Sequence, residues 1–402
     1  MLRSSHQIGV GVALRQGLIL LRIEVLITTG AMLMPAMYLF LNEIGLSQGE
    51  IGTSQALFTL GLCVLNIPTG WLADRFSRRL CNAVGDVVVA VSFFCYPLAT
   101  SFLEVVAFEI LMGIGFAFSN GADYGLLRAY CQLLKRDYHK ETSFLTMLKP
   151  IVGTLSYIVA GLIAAKSPGA AIIVAGIPFI VGAVISLFIK EVGEHREKSG
   201  SIGRAIADMY RMVKYALHDR KDLARIIVIA ALGQSLLRPS SILVFTPALL
   251  IVGIPVSLHG IGWALLALPT SIGAWMSRRT SHWSETKQFV APTIIAVGAL
   301  TVLLTGVSAW TIGSFALIGV ASGWIYAVTP TLVQKHAPDD MQSTVMSVAV
   351  TLSQLAYVIA VASVGFIANF GIQWALLANV VLYIPLLLIL TFTGSKMKLK
   401  SH

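Results

Sequence analysis

Charged residues divide this chain into long apolar tracts. No Asp, Glu, Lys or Arg occurs from Pro239 to Ser277, from Gln288 to Gln334, or from Met341 to Ser395. One crossing of a bilayer takes about 20 apolar residues, so each tract holds two helices and a turn. The turns fall at the uncharged breaks Gly253-Ile254-Pro255, Ser308 to Gly313, and Asn369 to Gly371. In the first half the same pattern predicts spans at about 15–41, 49–72, 81–100, 103–128, 144–165 and 170–189. The expected fold class is an all-α polytopic membrane protein with twelve transmembrane helices, arranged six plus six.

Composition agrees. Hydrophobic residues make up 56% of the 402 positions and charged residues 12%, about half the share of a soluble domain, which excludes an ordinary soluble enzyme. The positive charges are sorted by loop. Of 29 Lys and Arg, 26 fall on one face of the predicted layout, only Lys166 falls on the other, and Arg22 and Arg238 lie within spans. Positive residues stay on the cytoplasmic side, so both termini are expected there. The net charge of +10 is then a topology signal, and no nucleic-acid partner is needed to explain it.

The segment Lys190 to Arg225 carries nine basic and six acidic residues. It marks a linker, 190–225, between an N-terminal bundle, 1–189, and a C-terminal bundle, 226–402. Within it Ile202, Ile206, Met209 and Val213 recur at helical spacing opposite Arg204, Asp208, Arg211 and Lys214. Such a helix suits the membrane surface, or equally a solvated linker. The first apolar stretch runs past Pro35 to Leu41 without a cleavage site, so it reads as a retained helix rather than a signal peptide. Cys63, Cys81, Cys95 and Cys131 show no CxxC spacing and read as small buried hydrophobes; no metal and no cofactor is expected. Compact loops without an N-x-[ST] site fit a bacterial inner membrane.

The halves repeat one another. Gly45-Leu46-Ser47 leading to Ile51-Gly52 matches Gly253-Ile254-Pro255 leading to Ile261-Gly262, and both fourth helices carry a GxxxG, Gly121 to Gly125 and Gly319 to Gly323. Internal duplication is the mark of a transporter with its substrate site near midplane between repeats. The loop after the second helix reads Gly70-Trp71-Leu72-Ala73-Asp74-Arg75-Phe76-Ser77-Arg78-Arg79. It resembles the G-x-L-A-D-R-x-G-R-[RK] signature of the major facilitator superfamily, with Ser77 in place of the second glycine. Gly273 to Arg279 looks like a degenerate copy, and Ser343 to Ser347 is similar to the start of the family's eleventh helix. The six-plus-six layout extends the resemblance to the whole chain, which looks like the twelve-helix drug/metabolite-proton antiporter branch. It implies a gating cluster of Gly70, Asp74, Arg75, Arg78 and Arg79, with Asp123 as the acid meeting Arg78 and Asp86 in support. An acid at a helix end can also meet the dipole of a neighbouring helix and latch the cytoplasmic side.

Ionisable residues inside the bilayer cost roughly 2.5–3.5 kcal/mol even on lenient scales and are functional candidates. Arg22 and Glu24 lie two apart on the first helix and point about 200° from each other, so they are not expected to pair. Glu24 sits about nine residues into its span, roughly 13 Å at 1.5 Å per residue, and is the first candidate for proton coupling. Glu109 is the second, at a place where the antiporters usually carry an arginine. Arg238, the only charge within the second half's helices, suits a substrate carboxylate or phosphate, or neutralisation of Glu24. Arg22 is a second candidate anchor. Tyr38, Tyr124, Gln234, Trp324 and Tyr326 are candidate substrate contacts, and each is equally a packing residue.

Other chemistries lack their motifs. No GxxxxGK[ST] or HExxH occurs, and Gly45 to Gly49 matches G-x-S-x-G only as a turn between helices. The expectation is a non-enzymatic secondary transporter, acting as a monomer in the lipid bilayer and exporting a small amphiphilic compound against protons. The alternatives are proton-coupled uptake of an organic anion and a lipid flippase or receptor.

Overall fold

The computed structural model describes residues 2–29, 34–75, 77–192, 203, 211, 214, 215, 218, 220–235, 238–337 and 342–398. These are mostly helical, with no strand among the described residues. Twelve spans follow in order. We label them α1 (Leu2–Thr29, continued by Met34–Glu43), α2 (Gln48–Arg75), α3 (Arg78–Cys95), α4 (Phe102–Leu133), α5 (Tyr138–Ala164) and α6 (Pro168–Phe188). In the second half α7 comprises Lys221–Ser235, Arg238–Ser240, a π-helical turn Ser241–Phe245, and Thr246–Ile251. Then come α8 (His259–Ala267 and Pro269–Arg279), α9 (Glu285–Leu304), α10 (Ser314–His336), α11 (Gln342–Ala368) and α12 (Ile372–Lys398). Eleven are long and apolar enough to cross a membrane among the described residues, and α2 has 28 residues. The helices α1, α4 and α12 run beyond the apolar windows expected from sequence.

The paired turns of the two halves have one geometry. Gly45 and Gly253 adopt φ of 82° and 77°, a left-handed conformation that glycine enters without steric cost. Leu46 N donates to Leu41 O and Gly45 N to Asn42 O, both at 3.1 Å. Ile254 N donates to Leu249 O and Gly253 N to Leu250 O, both at 3.0 Å. Each is a Schellman closure of the preceding helix. The repeat legible in sequence is thus a repeated helix stop.

The chain forms two compact units, Met1–Phe40 with Gly61–Ala205, and Leu41–Leu60 with Ile206–His402. This differs from the expected bundles in the placement of Leu41–Leu60. The reason is a close approach of α2 to α11, where a Cβ on Gly52 would stand 2.6 Å from the Val361 carbonyl oxygen. Gly49 N also donates to Asn369 Oδ1 at 3.0 Å. The residues proposed as an amphipathic linker helix, Ile202, Ile206, Met209 and Val213, lie outside the described residues.

In the first unit Leu18, Leu21, Val25, Leu126, Leu127, Tyr130 and Leu145 bring α1, α4 and α5 into one core. In the second unit Phe245 packs edge-on against Phe315 and Trp263, with centroids 4.5 and 5.2 Å apart. Gly319 and Gly323 let α10 press onto α8, since a Cβ at either would collide with the carbonyl of Leu266 or Thr270. The second GxxxG therefore acts as expected of small residues between helices. Gly125 of the first meets the Arg78 side chain.

Candidate functional site

Five helices of the first unit, α1 and α3 to α6, contribute to a group of carboxyl side chains. Glu24 of α1 and Asp86 of α3 are both 0% exposed, and Asp123 of α4 is half-buried. Helical spacing builds the rest, because Asn82 lies one turn before Asp86 and Ser119 one turn before Asp123, which puts each pair on one face. Ser119 Oγ donates to Asp86 Oδ1 at 3.0 Å, and Asn82 Nδ2 donates to Ser186 Oγ of α6 at 3.1 Å. Gly182 of α6 admits this approach, since a Cβ there would stand 2.7 Å from Asp86 Oδ2 and from Thr28 Cγ2.

Glu24 lies within electrostatic reach of Asp123, Asp86 and Asn82. Both its carboxyl oxygens are nonetheless buried without a well-formed hydrogen bond, as are Asp86 Oδ2 and Asp123 Oδ1. The cation acting on Asp123 is Lys149 of α5, whose Nζ also stands 5.8 Å from the Tyr124 ring centroid. A pocket of about 50 Å³ opens beside Asp123, lined by Tyr124, Thr142, Thr146 and Lys149. Carboxyl groups gathered at such a buried place carry a desolvation cost that a proton or a cation can relieve.

Arg22 has a separate partner. It forms an ion pair with Glu141 of α5, which Arg136 Nη1 also meets at 2.9 Å, and its guanidinium lies 5.4 Å from the Phe144 centroid. This contact engages the Arg22 guanidinium with a carboxylate of the same unit. Glu109, 1% exposed, accepts a hydrogen bond from Tyr96 Oη at 2.9 Å, well along α4 from Asp123.

The motif loop is only partly visible. Gly70, Asp74 and Arg75 lie in the last turns of α2, and their surroundings are outside the described residues. Asp123 lies in the electrostatic neighbourhood of Glu24, Asp86 and Lys149, and the Arg78 side chain packs against Gly125, two residues further along α4. The substituted Ser77 caps α3, accepting from Leu80 N at 3.2 Å. Glu191 completes the cap by accepting from Ser77 Oγ, Arg78 N and Arg79 N. A carboxylate there also favours the positive helix end.

In the second unit Arg238 Nη1 donates to Gln354 Oε1 at 2.7 Å, and its guanidinium carbon lies 3.8 Å from the Tyr357 ring centroid. Ser240 Oγ donates to Asn379 Oδ1 at 3.0 Å. Gln234 is half-buried one turn before Arg238. Tyr124 and Tyr326 are exposed, whereas Tyr38 and Trp324 are buried. Trp324, 1% exposed and 6.0 Å from Trp283 by centroids, packs in the core.

Sequence reading missed Asn82, Ser119, Glu141, Lys149, Glu191, Gln354, Tyr357 and Asn379. The i, i+4 spacing of Asn82 with Asp86, and of Ser119 with Asp123, was the available signal for two of them.

Twelve helices, an internal repeat and charges buried within the spans define a polytopic membrane protein of transporter fold. The chain belongs to the Major Facilitator Superfamily, whose family model matches residues 25–361. No curated protein sequence matches it. A variant of the nucleoside transporter NupG superposes with a TM-score of 0.80 at 11% identity, covering 94% of this chain and 99% of that one. A bacterial homolog of the human lysosomal transporter Spinster, inward-facing and unoccupied, gives 0.75 at 16% identity, with 96% and 98% covered. A POT family transporter in complex with 5-aminolevulinic acid gives 0.71 at 14%, with 94% and 96% covered. At these identities the likeness is one of fold.

Proposed function

We propose that this protein is a proton-coupled secondary transporter that exports a small amphiphilic organic compound in exchange for protons. The observation that carries the reading is the gathering of three buried-region acids, Glu24, Asp86 and Asp123, in which Glu24's carboxyl oxygens lack a well-formed hydrogen bond. A buried acid among other acids can take up and release a proton as access alternates, and in a membrane such groups mark proton paths. Glu109, held by Tyr96, is a second acid in the same unit. The chain acts as a monomer in a bacterial inner membrane, with both termini cytoplasmic.

Uptake of an organic anion with protons is the second reading. It is favoured by Arg238, which no carboxylate pairs among the described residues.

The test is proton movement in oriented proteoliposomes carrying an imposed pH gradient and a pH-sensitive dye. Lipophilic cations, sugars and organic anions are added in turn. Export in exchange for protons predicts that an amphiphile collapses the gradient. Proton movement in the same direction as an anion overturns the export reading, and dependence on a sodium gradient alone overturns proton coupling.

A further inference from the structure

The second unit contains a fixed cation with unused donors. Burying a guanidinium within a span is costly unless it is paired or reaches a polar space. Arg238 is half-buried, and no carboxylate pairs with it among the described residues. Of its five N–H donors one is committed to Gln354, and none of its nitrogens is a buried orphan. The remaining donors therefore reach open space.

The group is also held in place. The ring of Tyr357 covers one face of the guanidinium plane, and Gln354 fixes one edge. With its Oε1 occupied, Gln354 has its amide N–H donors left to offer, again with no buried orphan. The backbone is irregular here in a way that recurs at functional sites. Pro239 lacks an N–H, Ser241–Phe245 forms a π-helical turn, and Ser241 Oγ takes up the Arg238 carbonyl at 2.7 Å.

We infer that Arg238 and Gln354, with Tyr357 as the positioning face, form a subsite for a carboxylate group of the transported solute. A planar fork with one edge free matches the two oxygens of a carboxylate. A single positive charge balances a monoanion, whereas a phosphate dianion would leave one charge that Arg238 does not balance. The inference rests on the proposed transport of an organic solute and holds for either direction of transport.

The test is binding of a panel of aliphatic and aromatic monocarboxylates, each paired with its neutral amide and its phosphate analogue, to the full-length protein in nanodiscs. Calorimetry and the thermal midpoint are the readouts. The acid of at least one pair is expected to bind more tightly than its amide and than the phosphate. Arg238→Gln is expected to raise the Kd of that acid by roughly ten- to a hundredfold, and Arg238→Lys by less. Gln354→Ala is expected to weaken binding while keeping the cation. Each variant's midpoint without ligand verifies that it is folded. Amides binding as well as acids, phosphates binding best, no acid binding, or unchanged affinity in folded Arg238→Gln would each overturn the subsite.

Proton flux in the same preparations separates this inference from the functional reading. Flux with neutral solutes that is indifferent to Arg238 removes the subsite and leaves proton coupling standing. Arg238-dependent acid binding without proton movement does the reverse.

Discussion

Arg22 and Glu24 stand two residues apart on one helix and belong to different electrostatic neighbourhoods. The guanidinium of Arg22 pairs with Glu141 on α5, while Glu24 meets Asp86 and Asp123 from α3 and α4. Their angular separation of about 200° produces this division, since two steps of 100° carry a side chain to the opposite side of a helix. One helix thus sends a cation and an acid into separate surroundings.

The Arg22–Glu141 pair is partly buried, with side chains 24% and 9% exposed. Arg22→Gln is expected to destabilise the protein by about 1–3 kcal/mol, chiefly by leaving Glu141 with Arg136 alone. A double-mutant cycle with Glu141→Gln, read by unfolding in detergent, should be non-additive, as for groups in direct contact. Solute affinity should stay at the wild-type value in folded Arg22→Gln. A large loss of affinity at normal stability would make Arg22 a substrate anchor after all.

The α8–α10 contact leaves no room for a side chain at Gly323 or Gly273, where a Cβ would collide with the carbonyl of Thr270 or Val320. Gly323→Leu is expected to cost at least about 1–3 kcal/mol, the range for overpacking, and to abolish monodisperse protein on size exclusion. Gly298, which has open space around it, serves as the comparison, and Gly298→Ala should express normally. Equal yields from both variants would contradict the packing account.

Glu191 binds the first turn of α3 from beyond the end of α6. Glu191→Ala removes acceptors for two backbone N–H groups and a favourable charge at the helix end. The expected loss is about 0.5–2 kcal/mol, the usual range for a lost cap. Hydrogen exchange should rise at Arg78 to Leu80 and remain unchanged in α9. Exchange at Arg78 to Leu80 unchanged between the wild type and Glu191→Ala would show that the cap carries no local stability.

How much of this was legible in the sequence depends on how far apart the cooperating residues lie. The spans follow from charge gaps, and the twin turns at Gly45 and Gly253 from their matched residues, because both signals are local. The opposed directions of Arg22 and Glu24 follow from helical geometry alone. Partner identity does not. Glu141 lies 119 positions from Arg22, and Gln354 lies 116 from Arg238, with no periodicity linking them. The resemblance pairs Asp123 with Arg78, and its electrostatic neighbours Glu24 and Lys149 come from α1 and α5, which no local spacing reveals. A buried Glu24 was foreseeable, whereas its gathering with two further acids depends on how the helices pack.

The central claim is that Glu24 carries the coupling proton. Proton-driven solute movement and solute exchange at equal concentrations on both sides, measured on the same Glu24→Gln proteoliposomes, test it most directly. Glutamine keeps the shape and removes the exchangeable proton. The account predicts that Glu24→Gln retains exchange and loses movement driven by a pH gradient. Accumulation driven by the pH gradient at the wild-type rate in Glu24→Gln would contradict it.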